Sequence, residues 1–226
     1  MFLNPAASEL PLLDHMEFRD RLSSASSASG KSGNVIHFGK PEPGRQTNCY
    51  EEVRAKNGAV QIVDHLNCTK PAVPYDLAIL KGYKNVALRR EFVEFILRHP
   101  VAKAFYAWLY NTRVPDEHFY STLDSIRVVS EETGTVQQVV EERMNGSSEY
   151  WQNGVCLRKS FWFPAHSGPR KCHGHEIRYV CNFGVGDLPR LRKDSGKCLM
   201  GNKFNLDTDP LAVWCQITHL MLARQK

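Results

Sequence analysis

The chain is 226 residues long, 42% hydrophobic and 10% aromatic, which excludes a disordered polymer and leaves room for one domain with a sizeable core or two small ones. Its formal charge of +5 is unevenly placed: between Leu157 and Lys203 ten Lys and Arg stand against three acids. A cationic lobe of that kind suits a polyanion, whether nucleotide, nucleic acid or sulfated glycan.

In chain order, the start MFLNPAASELPLL is interrupted by Asn4, Pro5 and Glu9, so it does not read as a signal peptide, and no stretch reaches membrane-spanning length. Residues Arg21–Gly33 are rich in serine and glycine and read as the end of a flexible lead-in over residues 1–32, ahead of a folded portion over residues 33–226. Ala25 followed by Gly30-Lys31-Ser32 is a relaxed match to a phosphate-binding loop. Such a loop needs a buried strand before it and a helix after it. Glu17–Leu22 is too charged for that strand, and Gly33, Pro41 and Pro43 oppose the helix, so the match reads as coincidence.

Ala59–Val63 and Tyr75–Leu80 are rich in Val, Ile and Leu and read as strands separated by a proline-bounded loop. Arg90–Asn111 places Phe92, Ile96, Leu97, Val101, Phe105, Trp108 and Leu109 at helical spacing, with a break near Pro100; that stripe is core. Pro115 stands where a helix commonly begins, with Asp116 and Glu117 in the first turn and Phe119, Leu123 and Ile126 behind. Ile177–Phe183 reads as a buried strand entering the turn Gly184-Val185-Gly186-Asp187. A last helix over Leu211–Leu222 puts Leu211, Trp214, Ile217 and Leu220 or Met221 on one face. Strands alternating with helices predict an α/β fold.

Seven cysteines and two N-x-S/T sequons, at Asn67 and Asn145, point to passage through the secretory pathway. Cys172-His173-Gly174-His175 with Cys181 offers zinc ligands, but the intervals are irregular for a structural zinc module and a secretory compartment favours disulfides.

Three short motifs carry the chemistry: VPDEHF at Val114–Phe119, VCNFGVGDL at Val180–Leu188 and GNKFN at Gly201–Asn205. The first offers Glu117 where a helix dipole favours negative charge. The other two bracket Arg178 and Lys203, cations that suit a diphosphate. One base and two cations form the minimum set for moving a sugar off a nucleotide. From the residues alone, Asp116 and Glu117 equally serve to favour a helix N-terminus, and the cations equally belong to a solvated basic face.

The order and approximate spacing of the three motifs resemble the core-2/I-branching β-1,6-N-acetylglucosaminyltransferase family, from about Gly33 to about Leu222. The resemblance implies the C-terminal portion of a GT-A-like nucleotide-sugar transferase fold. It implies inverting transfer of N-acetylglucosamine from UDP-GlcNAc to a C6 hydroxyl of an O-glycan or related acceptor, with Glu117 as base and Arg178 and Lys203 on the diphosphate. No cofactor or metal is implied, since fixed cations replace the metal. Asp207-Thr208-Asp209 looks like the metal motif of other glycosyltransferases, but it follows the Asn-Lys-Phe segment and reads as a cap on the last helix.

The family's cysteine pair with a nine-residue step implies a disulfide between Cys172 and Cys181. Cys215 matches a cysteine whose family partner lies in an N-terminal half; Cys49, Cys68, Cys156 and Cys198 are left unassigned. For the acceptor, Arg45 lines up with a family Arg, while Asn34 and Glu42 stand where the family has Glu and Lys. Trp162 is the nearest candidate for a stacking aromatic. Family members resemble type II Golgi membrane proteins, so the chain is expected to be a C-terminal half without anchor or stem. Its partners are expected to be UDP-GlcNAc and a glycan, with no nucleic acid and with self-association open. Two other readings stand beside this one: a peptide O-xylosyltransferase-like enzyme, and an inactive glycan- or polyanion-binding remnant.

Overall fold

The computed structural model describes residues 1–3, 8–28, 33–36, 38–39, 48–56, 58, 60–130, 135–140, 156–162, 172–177, 179–195 and 198–223. Their elements, in chain order, are β1 (Phe2–Leu3), β2 (Glu9–Pro11), α1 (His15–Ala28), β3 (Phe38–Gly39), β4 (Asn48–Arg54), β5 (Val60–Thr69), β6 (Lys81–Gly82), β7 (Ala87–Leu88), α2 (Arg90–Arg98), α3 (Pro100–Trp108), α4 (Asp116–Asp124), β8 (Ile126–Val129), β9 (Val136–Gln138), β10 (Cys156–Lys159), β11 (His175–Ile177), β12 (Val180–Asn182), α5 (Leu188–Ser195), β13 (Cys198–Asn202) and α6 (Pro210–Ala223). The chain is α/β, divided into two compact units: Met1–Phe2 with Ile36–Tyr150, and Leu3–Val35 with Trp151–Lys226. Among the described residues no helix is long and apolar enough to cross a membrane.

In the first unit the helical stripe of residues 90–111 breaks at Pro100, which lacks the N–H needed to continue α2 and instead occupies the first position of α3. The His99 side chain accepts from Val101 N–H at 3.2 Å and caps the new helix. Val101, Ala102, Phe105 and Trp108 of α3 pack with Leu77, Ile79, Leu109 and Leu123 in one apolar cluster. Ile36, Phe38, Leu80, Val86 and Leu88 form a second. The antiparallel hairpin of β4 and β5 carries mostly exposed side chains, and a bare two-stranded ribbon is marginal in water. The Cys49–Cys68 disulfide ties its open end.

Tyr75–Leu80 is not the strand its composition suggests. Pro74–Asp76 is a tight 3₁₀ turn in which Tyr75 and Asp76 both take positive φ. Leu77, Ile79 and Leu80 are buried as the apolar run demands. Their backbone is satisfied by side chains instead of a neighbouring strand: Ala78 N–H donates to Gln138 at 2.7 Å and Leu80 N–H to Thr122 Oγ1 at 2.9 Å.

In the second unit β13 is the middle strand of three, parallel to β10 and antiparallel to β2. Cys156 and Cys198 face each other across the parallel pair and are bonded. Beneath this sheet Phe161, Phe183 and Phe204 form a chain of edge-to-face contacts, each 5.2 Å between centroids, in a core shared with Leu12, Leu188, Leu191 and Val213. Two expectations are corrected here. The segment 1–32 is not a flexible lead-in: α1 occupies His15–Ala28 and β2 pairs with β13, because Leu12 and Leu13 belong to the core. Gly30, Lys31 and Ser32 lie outside the described residues. Nor is Ile177–Phe183 one buried strand: β11 is exposed, β12 is buried, and the chain reverses between them at Tyr179, whose φ is +65°.

Candidate functional site

Glu117 lies in the first turn of α4, directly after Pro115, and its N–H donates to Val114 O at 3.1 Å. Val114 holds φ +52°. A β-branched residue in that region is an outlier, and the residue before a proline is normally extended, so the entry to this helix stores backbone strain. The Glu117 carboxylate is 23% exposed and stands 3.9 Å from the ammonium of Lys81, itself 25% exposed. Lys81 begins β6, and the residue before it is fastened to α4. Leu80 O lies 3.1 Å from His118 Nδ1 and accepts from Ser121 Oγ at 3.0 Å, while Leu80 N–H donates to Thr122 Oγ1. One face of α4 therefore sets Lys81 beside Glu117. Asp116, on the same turn, acts elsewhere: burial first, and the Asp116 charge second, raise the Tyr120 phenol above its ordinary pKa.

The second unit assembles another set around β12. Cys181 N–H donates to Phe161 O at 3.0 Å, Trp162 bridges Val180, Lys203 N–H approaches Cys181 O at 3.5 Å, and Phe183 N–H donates to Lys203 O at 2.8 Å. The backbone thus brings Trp162, Cys181 and Lys203 onto one short strand, with Trp162 42% exposed. Cys172 and Cys181 are disulfide-bonded, so their sulfurs do not offer thiolates to a metal despite lying close to Asp187. Asp187, 1% exposed, accepts from His173 N–H at 3.1 Å and Gly184 N–H at 3.0 Å. That clamp presses the segment of Gly174 onto β12 so closely that a Cβ at Gly174 would lie 2.1 Å from Asn182 O.

Several expected site residues fall elsewhere. Arg178 lies outside the described residues, as do Arg45, Glu42 and Asn145. Asn67 is on β5, with its side chain not described. Asn34 is buried. Glu117 and Lys81 belong to the first unit; Trp162, Lys203 and the Cys172–Cys181 bridge belong to the second. Asp209 Oδ1 accepts from Ala212 N–H at 3.0 Å, the cap expected on the last helix. Cys215 is exposed and outside the three disulfides. Lys81 stands outside the motifs, and Asp187, although inside VCNFGVGDL, was given no role of its own. For Asp187 a usable signal existed, an Asp three residues after Gly184 at the head of a helical turn. For Lys81 there was none, because an isolated lysine beside a glycine reads as a solvated loop.

Residues 13–192 match the model of the Core-2/I-Branching enzyme family. The chain is 36% identical over 146 residues to the mouse N-acetyllactosaminide beta-1,6-N-acetylglucosaminyl-transferase, covering 65% of this chain and 32% of that protein. The human protein of the same name is 33% identical with the same coverage. A human protein described as a probable beta-1,3-galactosyl-O-glycosyl-glycoprotein beta-1,6-N-acetylglucosaminyltransferase 7 is 32% identical over 151 residues, 66% of this chain and 31% of that one. The chain spans about a third of the length of these curated relatives.

Proposed function

The chain belongs to the Core-2/I-branching enzyme family, and from that premise we propose that it carries the acceptor-activating base and the diphosphate-facing cations of an inverting β-1,6-N-acetylglucosaminyltransferase. The donor is UDP-GlcNAc and the acceptor a C6 hydroxyl of an O-glycan or related chain. The observation that carries this reading is Glu117: a three-quarters-buried carboxylate in the first turn of a helix whose entry is strained and whose neighbour is a positioned ammonium.

In this mechanism the acceptor oxygen attacks the anomeric carbon as its proton passes to Glu117, and the bond from that carbon to the β-phosphate oxygen breaks with its electron pair leaving on UDP. Lys203, its backbone fixed against β12, and Arg178 take the diphosphate's charge without a metal. Asp187 and the Cys172–Cys181 bridge brace that strand. Trp162 presents a half-exposed ring for a sugar face. The disulfides and sequons suit a Golgi lumenal location with a type II anchor.

The test is transfer from UDP-GlcNAc to N-acetyllactosamine, with Glu117→Gln as the deciding variant. Positioned general-base catalysis is worth ~10²–10⁴-fold, so transfer falls by that order while UDP affinity and thermal stability hold. Asp116→Asn is the control, costing at most about 1 kcal/mol of helix stability. Equal, modest losses in both variants would remove Glu117 from the chemistry. Transfer from UDP-xylose alone would favour the xylosyltransferase-like reading, and UDP binding without turnover the inactive remnant.

A further inference from the structure

Ser8 reaches the residues on both sides of Lys203. Before the lysine, the buried Asn202 side chain accepts from Ser8 Oγ at 3.4 Å and donates to Ser160 Oγ at 3.1 Å. After it, Phe204 N–H donates to Ser8 O at 2.8 Å, and the Phe204 ring packs against Phe183 in the core. Ser8 thus straddles Lys203, with one bond to each flanking residue. The next residue fixes Ser8 in turn: Glu9 pairs in register with Asn202, and its carboxylate stands 3.6 Å from Arg158 across β13. Lys203 O accepts from Phe183 N–H at 2.8 Å, which ties the same stretch to β12. The half-buried Lys203 side chain therefore extends from a backbone held by β2, by β12 and by Ser160. Among the described residues its ammonium makes no hydrogen bond or ion pair.

We propose that Ser8 and Asn202 are positioning residues of the donor site: they hold Lys203 where its ammonium meets the diphosphate of the nucleotide, so that the segment entering β2 completes that site. The proposal rests on the reading of Lys203 as a diphosphate cation. Lysine is a point charge on a flexible four-carbon stem, and what it contributes to an anion falls with distance, so the position of its Cα sets how well it can reach. A backbone fixed in advance leaves only side-chain rotamers for the ligand to order, which costs less than ordering a loop as well. Ser8 and Asn202 do not touch the nucleotide in this arrangement; both act through the lysine. The bond from Asn202 to Ser160 also ties Lys203 to the stretch that presents Trp162, whose middle residue Phe161 accepts from Cys181 N–H at 3.0 Å.

The experiment is a double-mutant cycle on the full chain, read as the ratio of UDP to UMP affinity by calorimetry, since these ligands differ only in the β-phosphate. Lys203→Ala is expected to lower that ratio. Ser8→Ala is expected to lower it by about threefold to tenfold while sparing UMP affinity. In the Lys203→Ala background Ser8→Ala should change the ratio no further, because a residue that acts through the lysine has no effect once the lysine is gone. A purely structural serine would weaken both ligands alike, with or without Lys203. Where Ser8→Ala does not fold, Ser160→Ala, which breaks the other bond of the Asn202 amide, takes its place in the cycle. An unchanged ratio in the folded serine variant, or an equal fall in both backgrounds, would overturn the proposal and leave the Lys203 reading intact. An unchanged ratio in Lys203→Ala, or failure of the unsubstituted chain to bind UDP, would overturn that reading and the proposal with it.

Discussion

Asp209 ties Val185 to the start of α6: one carboxylate oxygen caps Ala212 N–H at 3.0 Å, and the other accepts Val185 N–H at 2.9 Å. The second acid of the Asp-Thr-Asp triplet is thus engaged by backbone at both oxygens, in a unit where Val185 belongs to the Gly-Val-Gly-Asp turn. Asp209→Ala is expected to destabilise by roughly 1–3 kcal/mol, one helix cap and one further hydrogen bond. Asp209→Asn keeps one acceptor oxygen and costs about half. Urea denaturation of the three proteins checks the order.

Metal independence of transfer is the companion expectation. Incubation with EDTA should leave both the thermal midpoint and the rate of transfer from UDP-GlcNAc unchanged. Loss of activity on chelation with recovery in manganese would mean that Asp207 and Asp209 act on the nucleotide.

Asp187 is the costlier acid to remove. Asp187→Ala strands the buried N–H of Gly184, which costs about 1–3 kcal/mol for a donor left without an acceptor, and removes the partly buried bond to His173 N–H, which costs less. The variant is therefore expected to lose roughly 2–5 kcal/mol, and with it the placement of Lys203. Weakened UDP binding that tracks the loss of stability, with no selective effect on acceptor binding, is the expected signature.

The two disulfides of the second unit should rank by the loop each closes. Cys156 and Cys198 are separated by 42 residues and Cys172 and Cys181 by nine. In the chain-entropy picture these contribute roughly 4 and roughly 2–3 kcal/mol. Paired Cys→Ala variants, compared by thermal denaturation, should show the larger loss for Cys156/Cys198.

Lys70 gives a pH dependence with a definite sign. Its ammonium is buried against the Trp108 ring at 3.8 Å and donates to Trp108 O and Thr112 Oγ1, and burial lowers its pKa to about 8 from the ordinary 10.5. Between those two values the unfolded chain binds more protons at this residue than the folded one, so stability rises with pH across that window. Below pH 8 the contribution is flat, with the desolvation cost fully present. Lys70→Met should remove this rise, and the difference between the two unfolding free energies, measured from pH 7 to 10.5, isolates it. A wild-type curve parallel to that of Lys70→Met would show that the hydrogen bonds and ring contact offset burial, leaving no net shift.

What was readable from the sequence was whatever local chemistry dictates. Pro100 had to interrupt a helix because it lacks an N–H, and Pro115-Asp116-Glu117 had to favour one beginning, so α2, α3 and α4 stand where their residues place them. Motif order was legible for the same reason that it identifies the family: VPDEHF, VCNFGVGDL and GNKFN are each contiguous.

Only the tertiary structure decided questions of which partner and which side. Leu77, Ile79 and Leu80 were bound to be buried, but whether a strand or the side chains of α4 and Gln138 would satisfy their backbone depends on residues forty to sixty positions away. The last helix is apolar on most of its circumference. Its pattern therefore could not choose a face, and the fold buries Ala212, Val213 and Gln216 while Leu211 and Trp214 are exposed. The pairing of Cys156 with Cys198 follows from the register of β10 on β13, and the meeting of Lys81 with Glu117 from the clamp on Leu80. Propensity and periodicity act within a few residues of the chain, whereas register, facing and ion pairing are set by contacts that exist only once the chain has closed on itself.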